Sequence, residues 1–217
     1  MKGSNGIPNG WADPSISDVC DLLAGFGFPN ELQGRTEGDI PFFKVGDISE
    51  AWQRHEKVLL RAKHYVAHDD LRVLHAKVLP AGSIVFAKIG AAISLNRRAI
   101  LGRPSLIDNN CMGLRPFTDV VDNRFVFYFA CTLRLGESSR ASIVPSLRKS
   151  DVAPIRLPLP PLNEQRRIVA KIEELFSDLE AGVAALTRAR ANLKRYRASV
   201  LKAAVESALT ADWRTQP

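Results

Sequence analysis

The chain predicts an α+β fold: a globular domain of mixed strands and helices over residues 1–157, one long coiled-coil helix over 158–210, and a tail, 211–217. Three observations carry this. Residues 162–209 contain no proline and a single glycine, Gly182, directly after a stretch holding Pro154, Pro158, Pro160 and Pro161. Apolar or small residues recur in two seven-residue series: Ile168, Leu175, Gly182, Ala189, Tyr196, Ala203, and Ile172, Leu179, Leu186, Leu193, Val200. Such a repeat keeps one stripe turned toward one partner helix. Upstream, short apolar runs and helical spacings mix without the βαβ rhythm of a parallel sheet.

The elements follow in order. Residues 1–13 are rich in Gly, Asn and Pro and carry Trp11. Ile40–Ile48 reads as a strand with a turn beyond it. Asp70–Leu79 sets Leu71, Leu74 and Val78 at helical spacing, with Pro80-Ala81-Gly82 as a stop signal. Ser83–Ile89 and Ala91–Leu95, bounded by Gly90 and Asn96, predict two strands around a tight turn. Ser105–Leu114 predicts a further strand with Asp108-Asn109-Asn110 inside it. Asp122 is suited to cap a helix over Asn123–Leu135 that buries Phe125, Phe129 and Leu133. The prolines of 154–161 exclude helix and close the domain. The helix that follows is roughly 70 Å long at 1.5 Å per residue. It outruns any core this chain can build, so it is a strut.

Composition narrows the partners. The formal net charge is +7 over 217 residues, which points to a polyanion. No acid lies between Asp70 and Asp108, an interval carrying Arg72, Lys77, Lys88, Arg97, Arg98 and Arg103. Residues 123–150 set Arg124, Arg134, Arg140, Arg148 and Lys149 against Glu137 alone. Arg188, Arg190, Lys194, Arg195 and Arg197 make the far end of the helix basic. No apolar run approaches the ~20 residues that span a bilayer, and residues 1–20 lack the pattern of a secretion signal. Cys20, Cys111 and Cys131 are odd in number and widely spaced, which fits a reducing cytoplasm better than a disulfide framework or zinc site.

No catalytic or metal-binding residue is predicted. Gly25-Phe26-Gly27-Phe28 lacks the lysine and context of a phosphate loop, and no serine sits in Gly-x-Ser-x-Gly. No Asp/Asn-Pro-Pro-Tyr/Phe tetrapeptide is present. His64 and His68 lie four apart without an intervening glutamate or third ligand. What remains is recognition chemistry: arginine pairs with guanine O6 and N7, and Asn or Gln with adenine N6 and N7. Asn96, Arg97 and Arg98 offer both types together. Lys88 lies beside Gly90, where a phosphate can come close, and Lys44, Arg103 and Arg140 are further DNA-binding candidates.

Several segments carry a resemblance. Pro158-Leu159-Pro160-Pro161-Leu162-Asn163-Glu164-Gln165-Arg166-Arg167-Ile168 resembles the opening of the spacer helix in specificity (S) subunits of type I restriction-modification systems. Val144–Asp151 resembles the close of a target-recognition domain in that family, and Phe43–Ser49 and Pro80–Gly90 resemble its middle. Pro8-Asn9-Gly10-Trp11 is similar to its entry, and Leu209–Arg214 to the spacer exit. Family members usually carry two recognition domains and two spacers. One of each here implies a half-size subunit, a truncated one, or a fragment.

The resemblance implies a non-catalytic, cytoplasmic subunit that reads one half of a split site in double-stranded DNA. It implies methyltransferase (M) subunits using S-adenosylmethionine and a restriction (R) subunit using ATP and Mg²⁺ as partners, with no cofactor in this chain. The spacer helix pairs antiparallel with a second helix through Ile168, Ile172, Leu175, Leu179, Leu186, Leu193, Tyr196 and Val200. If that helix belongs to a second copy, the homodimer reads a palindromic split site, its halves about two turns of ~34 Å apart. The alternative is a coiled-coil assembly protein that binds nucleic acid without sequence preference.

Overall fold

The computed structural model describes residues 7–74, 76–137 and 145–214. The fold is α+β, and the chain divides into two compact units, one ending at Val169 and the other beginning at Ala170. The division falls inside the long helix rather than at the proline run, because the first two helical turns are packed into the globular unit.

Two sheets build that unit. The larger has five strands: β1 (Cys20–Ala24), β3 (Val58–Leu59), β5 (Ile84–Ala87), β6 (Arg98–Leu101) and β8 (Cys111–Pro116), in spatial order β1-β8-β5-β6-β3. The smaller has β2 (Ile40–Phe43), β4 (His64–Val66) and β7 (Leu106–Ile107), in order β4-β2-β7. β3 with β6 and β2 with β7 are parallel, and the other pairs are antiparallel. The period-2 alternation of a strand divides the cores. Ile84 and Phe86 enter a core with Phe125, Val126 and Ala130 of helix α4 (Asn123–Thr132), while Val85 between them enters a second core. That second core contains Ile48 and Ala51 of helix α2 (Val45–Gln53). Phe43 joins it too, whereas its neighbour Phe42 faces a third core with Leu32, Val66 and Leu106.

Several local expectations are corrected. After β2 the chain enters α2 rather than a turn, because the Asp47 carboxylate accepts the Lys44 N–H at 2.7 Å and caps a helix start that Gly46 disguises. The helix expected over Asp70–Leu79 is α3, His68–Leu74. It starts earlier because Asp70 accepts the Ala67 N–H at 2.9 Å. It ends sooner because Leu79 and Ser105 exchange two backbone hydrogen bonds, of 2.8 and 2.9 Å, that seat Leu79 in the core. Ala91–Ile93 is one 3₁₀ turn, not a strand, and the strand that pairs with β5 begins only at Arg98. The run expected as one strand over Ser105–Leu114 is split into β7 and β8, in different sheets, by a turn at Asp108-Asn109-Asn110. Asp122 caps α4 as predicted, accepting the Arg124 and Phe125 N–H groups at 2.9 and 3.1 Å, but the helix stops at Thr132.

The beginning and end of the globular unit are paired, and the four-residue helix α1 (Ile16–Val19) leads from the beginning into β1. Ala12 and Leu159 exchange backbone hydrogen bonds of 2.8 Å each, and Leu157 donates to the Pro14 carbonyl at 2.8 Å. The four residues of α5 (Lys149–Val152) precede this return, and Val152 is buried. The chain then enters α6, Leu162–Val205, whose 44 residues span about 66 Å. Its entry is fixed by Gln165, which has no exposed surface. The Gln165 Oε1 accepts the Asp122 N–H at 2.8 Å, and its Nε2 donates to the carbonyls of Pro160 at 2.8 Å and Val120 at 3.2 Å. Val169, one turn on, is buried in the same core as α4.

In the second unit, Leu186, Leu193 and Tyr196 are 72%, 69% and 69% exposed. After Ser207, at φ 57°, a short helix α7 (Ala211–Arg214) closes the described chain. No helix among the described residues is long and apolar enough to cross a membrane.

Gln165→Leu leaves three backbone groups without their partner, at about 1–3 kcal/mol for each that water does not reach. Chemical denaturation should therefore show the globular unit destabilised by about 3 kcal/mol, while Arg166→Ala, an exposed neighbour, stays within about 0.5 kcal/mol.

Candidate nucleic-acid interface

The topology gathers one set of loops at one end of both sheets. β2 and β7 run parallel, so Lys44 and Asp108 emerge side by side, joined by the Asp108 N–H to Phe43 carbonyl bond at 2.9 Å. β1 arrives at the same end, where the Gly25 N–H donates to the Cys111 carbonyl at 3.1 Å and the Phe26 N–H to the Ile107 carbonyl at 2.9 Å. Only glycine fits at position 25, since a Cβ there lies 1.7 Å from the Asp108 carbonyl oxygen. β5 leaves where β8 begins, and the Lys88 N–H donates to the Asn110 carbonyl at 2.8 Å. The Lys88 carbonyl then accepts the Leu147 N–H, also at 2.8 Å. β6 starts at this end as well, Arg98 opposite Phe86.

The candidate residues divide on this frame. Lys44 and Lys88 are brought to one edge. The Lys44 ammonium donates to Gln33 Oε1 at 3.0 Å and lies 5.2 Å from the centroid of the Phe28 ring, which is itself stacked on Phe42 at 3.8 Å. Arg97 is half-buried beside this edge.

Asn96 and Arg98 serve the fold instead. Arg98 is 1% exposed. Its guanidinium donates to Asn96 Oδ1 at 2.6 Å and to the carbonyls of Arg97 at 2.9 Å and Leu133 at 3.4 Å, and it lies 5.0 Å over the Phe86 ring. Asn96, held at φ 52°, donates its amide to the Cys131 carbonyl at 2.9 Å. The two side chains thus satisfy carbonyls at the end of α4 that a helix leaves without intrahelical partners. Burial pushes the Arg98 guanidinium down to about 10. The expectation that Arg98 presents its fork to a base is therefore corrected. Arg103 follows the far end of β6 and donates to the Asp39 carbonyl at 2.9 Å. Arg140 lies outside the described residues.

Gln33, Asn109 and exposed Arg148 are at this edge or beside it, and none was predicted as a site residue. The signal available for Asn109 was the polar triplet inside an apolar run, which marks a turn more readily than a strand.

His64 and His68 do not share a helix: His64 is on β4 and His68 begins α3. Among the described residues no group of three or more His, Cys, Asp or Glu is placed to hold a metal ion. The thiols of Cys20 and Cys131 are pushed up to about 12 and about 11 by burial, which keeps them protonated and poorly nucleophilic.

A mixed two-sheet domain that displays cationic loops at one end and continues into a long helix defines the structural class, and comparison with known proteins gives its family. The family model of the type I restriction modification DNA specificity domain matches residues 8–186, and the chain belongs to that family. The EcoBI specificity subunit of Escherichia coli is 24% identical over 217 residues, covering 97% of this chain and 42% of the relative. The StySPI specificity subunit of Salmonella potsdam is 22% identical, covering 94% of this chain and 44% of the relative. This chain therefore spans less than half the length of those curated relatives. The crystal structure of the HsdS subunit from Thermoanaerobacter tengcongensis superposes with a TM-score of 0.64 at 25% identity, covering 91% of this chain and 45% of that one. A chain from a type I R-M system, whose structure concerns complex assembly and conformational transition, has a TM-score of 0.70 at 23% identity. It covers 91% of this chain and 46% of its own, and it shows the shared fold.

His64 gives a pH test of the candidate edge. Its Nδ1 accepts the Gly34 N–H at 3.0 Å, and its pKa is lowered by burial first and then by Lys44, with Lys63 adding and Asp47 opposing. The unfolded chain takes up that proton more readily, so stability is full above the ordinary histidine value of about 6.5 and is lost as pH falls through it. Thermal denaturation between about pH 8 and 5 should show this loss, and His64→Gln should flatten it.

Proposed function

We propose that this chain is the DNA sequence-recognition subunit of a type I restriction-modification complex. The globular unit reads one half of a bipartite site, and α6 pairs antiparallel with a second helix. The observation that carries the reading is the loop end itself: in a chain of the specificity family, Lys44, Lys88 and the exposed carboxamide of Asn109 emerge together from hydrogen-bonded sheet ends. Phosphate contacts from such lysines position a protein on DNA, while amides reach base edges. Methylation and cleavage belong to partners: methyltransferase subunits with S-adenosylmethionine, and a restriction subunit with ATP and Mg²⁺. This chain takes no cofactor in that scheme and works in the cytoplasm.

The helix supports an antiparallel pair with a second copy. Its seam residues from Leu175 to Val200 are exposed, and its charge is segregated beyond residue 172. After Arg166, Arg167 and Lys171, the acids Glu173, Glu174, Asp178 and Glu180 make residues 173–180 acidic, and Arg188, Arg190, Lys194, Arg195 and Arg197 make residues 188–197 basic. An antiparallel pair sets the acidic stretch of one helix level with the basic stretch of the other, whereas a parallel pair sets like against like. A register centred between Gly182 and Leu186 opposes Ile168 to Val200, Ile172 to Tyr196, Leu175 to Leu193 and Leu179 to Ala189. A strut of about 66 Å corresponds to about two turns of B-DNA between half-sites.

Selection from a randomised duplex library, at several salt concentrations, tests the reading. The wild-type chain should enrich a motif, and Lys44→Ala or Lys88→Ala should weaken binding uniformly while lowering the salt slope by roughly 0.9 each. Enrichment of no motif overturns sequence recognition in favour of non-specific binding. Light scattering should give a dimer that Leu186→Asp converts to a monomer. A wild-type monomer at all concentrations overturns the second-copy pairing.

A further inference from the structure

We propose, resting on the DNA-recognition reading, that Asn109 at the tip of the β7–β8 turn is a base-reading residue that pairs with an adenine in the major groove, with Lys44 and Lys88 on phosphates to either side. The turn is braced from every direction. The Asp108 carbonyl accepts the Cys111 N–H at 2.9 Å, and its carboxylate accepts the Asn110 backbone N–H at 3.0 Å and the Asn110 side-chain amide at 3.2 Å. Behind it, Asp108 is tied to Phe43 and Asn110 to Lys88, and the backbone at Gly25 leaves no room for a Cβ. A side chain at its tip is thus presented from a fixed base, which reduces the ordering cost of binding.

The other amides at this end are committed within the protein. Gln33 takes the Lys44 ammonium and donates to Asn30 Oδ1 at 2.9 Å. Asn96 is bonded at both ends to Arg98 and Cys131. Asn110 is held by Asp108. Asn109 is exposed, and its amide has no hydrogen-bond partner among the described residues. It also lies, along the backbone, between the residue bonded to Phe43 just before Lys44 and the residue bonded to Lys88. A free carboxamide has one acceptor and one donor in the spacing of adenine N6 and N7. Lysines on both sides supply the sequence-independent contact that holds the reader in register.

The experiment takes the motif enriched by the wild-type chain and measures affinity for every single-base variant of it, for wild type, Asn109→Ala and Asn109→Gln. Wild type should prefer adenine at one position by roughly tenfold to a hundredfold. Asn109→Ala should lose that preference, keep it at all other positions, and keep the same salt slope. Replacing that adenine by 7-deazaadenine should weaken wild type and leave Asn109→Ala unaffected. An Asn109→Ala chain that retains the wild-type preference at every position overturns this assignment while leaving DNA recognition intact. A wild-type chain with no preference at any position overturns both.

Discussion

The attachment of α6 rests on one buried side chain. The first two turns of this 44-residue helix belong to the globular unit. Gln165 fixes them there with a single amide that joins three segments: the loop before α4 through Val120, the cap of α4 through Asp122, and the proline run through Pro160. Each bond satisfies a backbone group that has no partner in regular structure. Asp122 is thereby used twice. Its carboxylate caps α4, and its N–H is taken by Gln165. The starts of α4 and α6 are locked to each other, and the pairing of residues 12–15 with 156–159 closes the same corner from the other side. The proline-rich opening thus works as an anchor whose final residue is a polar side chain in an apolar core.

The basic composition of the chain has more than one physical use. Arg98 is a cation in the interior with no carboxylate bonded to it among the described residues. Its charge is met by carbonyl oxygens, by Asn96 and by the face of Phe86. Burying an ion this way is costly unless its donors are placed. The Nε–H has no partner among the described residues, and the other donors secure the loop of residues 94–98 to the end of α4. A high arginine count therefore overstates the charge available to a polyanion. Lys44 and Lys88 remain at the edge, and Arg98 gives that edge its rigidity.

Much of the architecture was legible in sequence because it depends on local signals. The long helix followed from a long seven-residue repeat without proline, the α4 start from Asp122 as an N-cap, and the family from PLPPLNEQ and its companion segments. The missed pieces depend on partners distant in sequence. β1 is a strand because five residues pair with β8, and Leu79 leaves helical geometry because Ser105 lies opposite it. The split of Ser105–Leu114 into two sheets turns on Asp108 folding its carboxylate back onto Asn110, an interaction that outweighs the apolar run on both sides. At the candidate interface, residue type suggested Asn96 and Arg98, but their use is fixed by Cys131 and Leu133, more than thirty residues away. Lys44 and Lys88 met at one edge only through the parallel β2–β7 pair and the antiparallel β5–β8 pair. No spacing rule carries that information.

The seam of α6 shows how the proposed pairing and the proposed reading reinforce each other. Isolated helices are marginal in water even at good propensity, and Gly182 and Ala189 remove contact area from the middle of this one. Charge segregation then favours one orientation without supplying much binding energy, because exposed ion pairs contribute little and are screened by salt. A pair of modest intrinsic affinity is the expected result. Within the proposed dimer that weakness has a consequence. When one recognition domain engages its half-site, the other is held at high effective concentration near the second, and ligand bound only to the paired state stabilises it by mass action. Helix pairing and DNA binding are then linked equilibria, and by reciprocity a DNA carrying both half-sites strengthens the helix pair by the same factor that the pair strengthens the DNA complex. In the proposed dimer, spacing between half-sites enters recognition through this coupling.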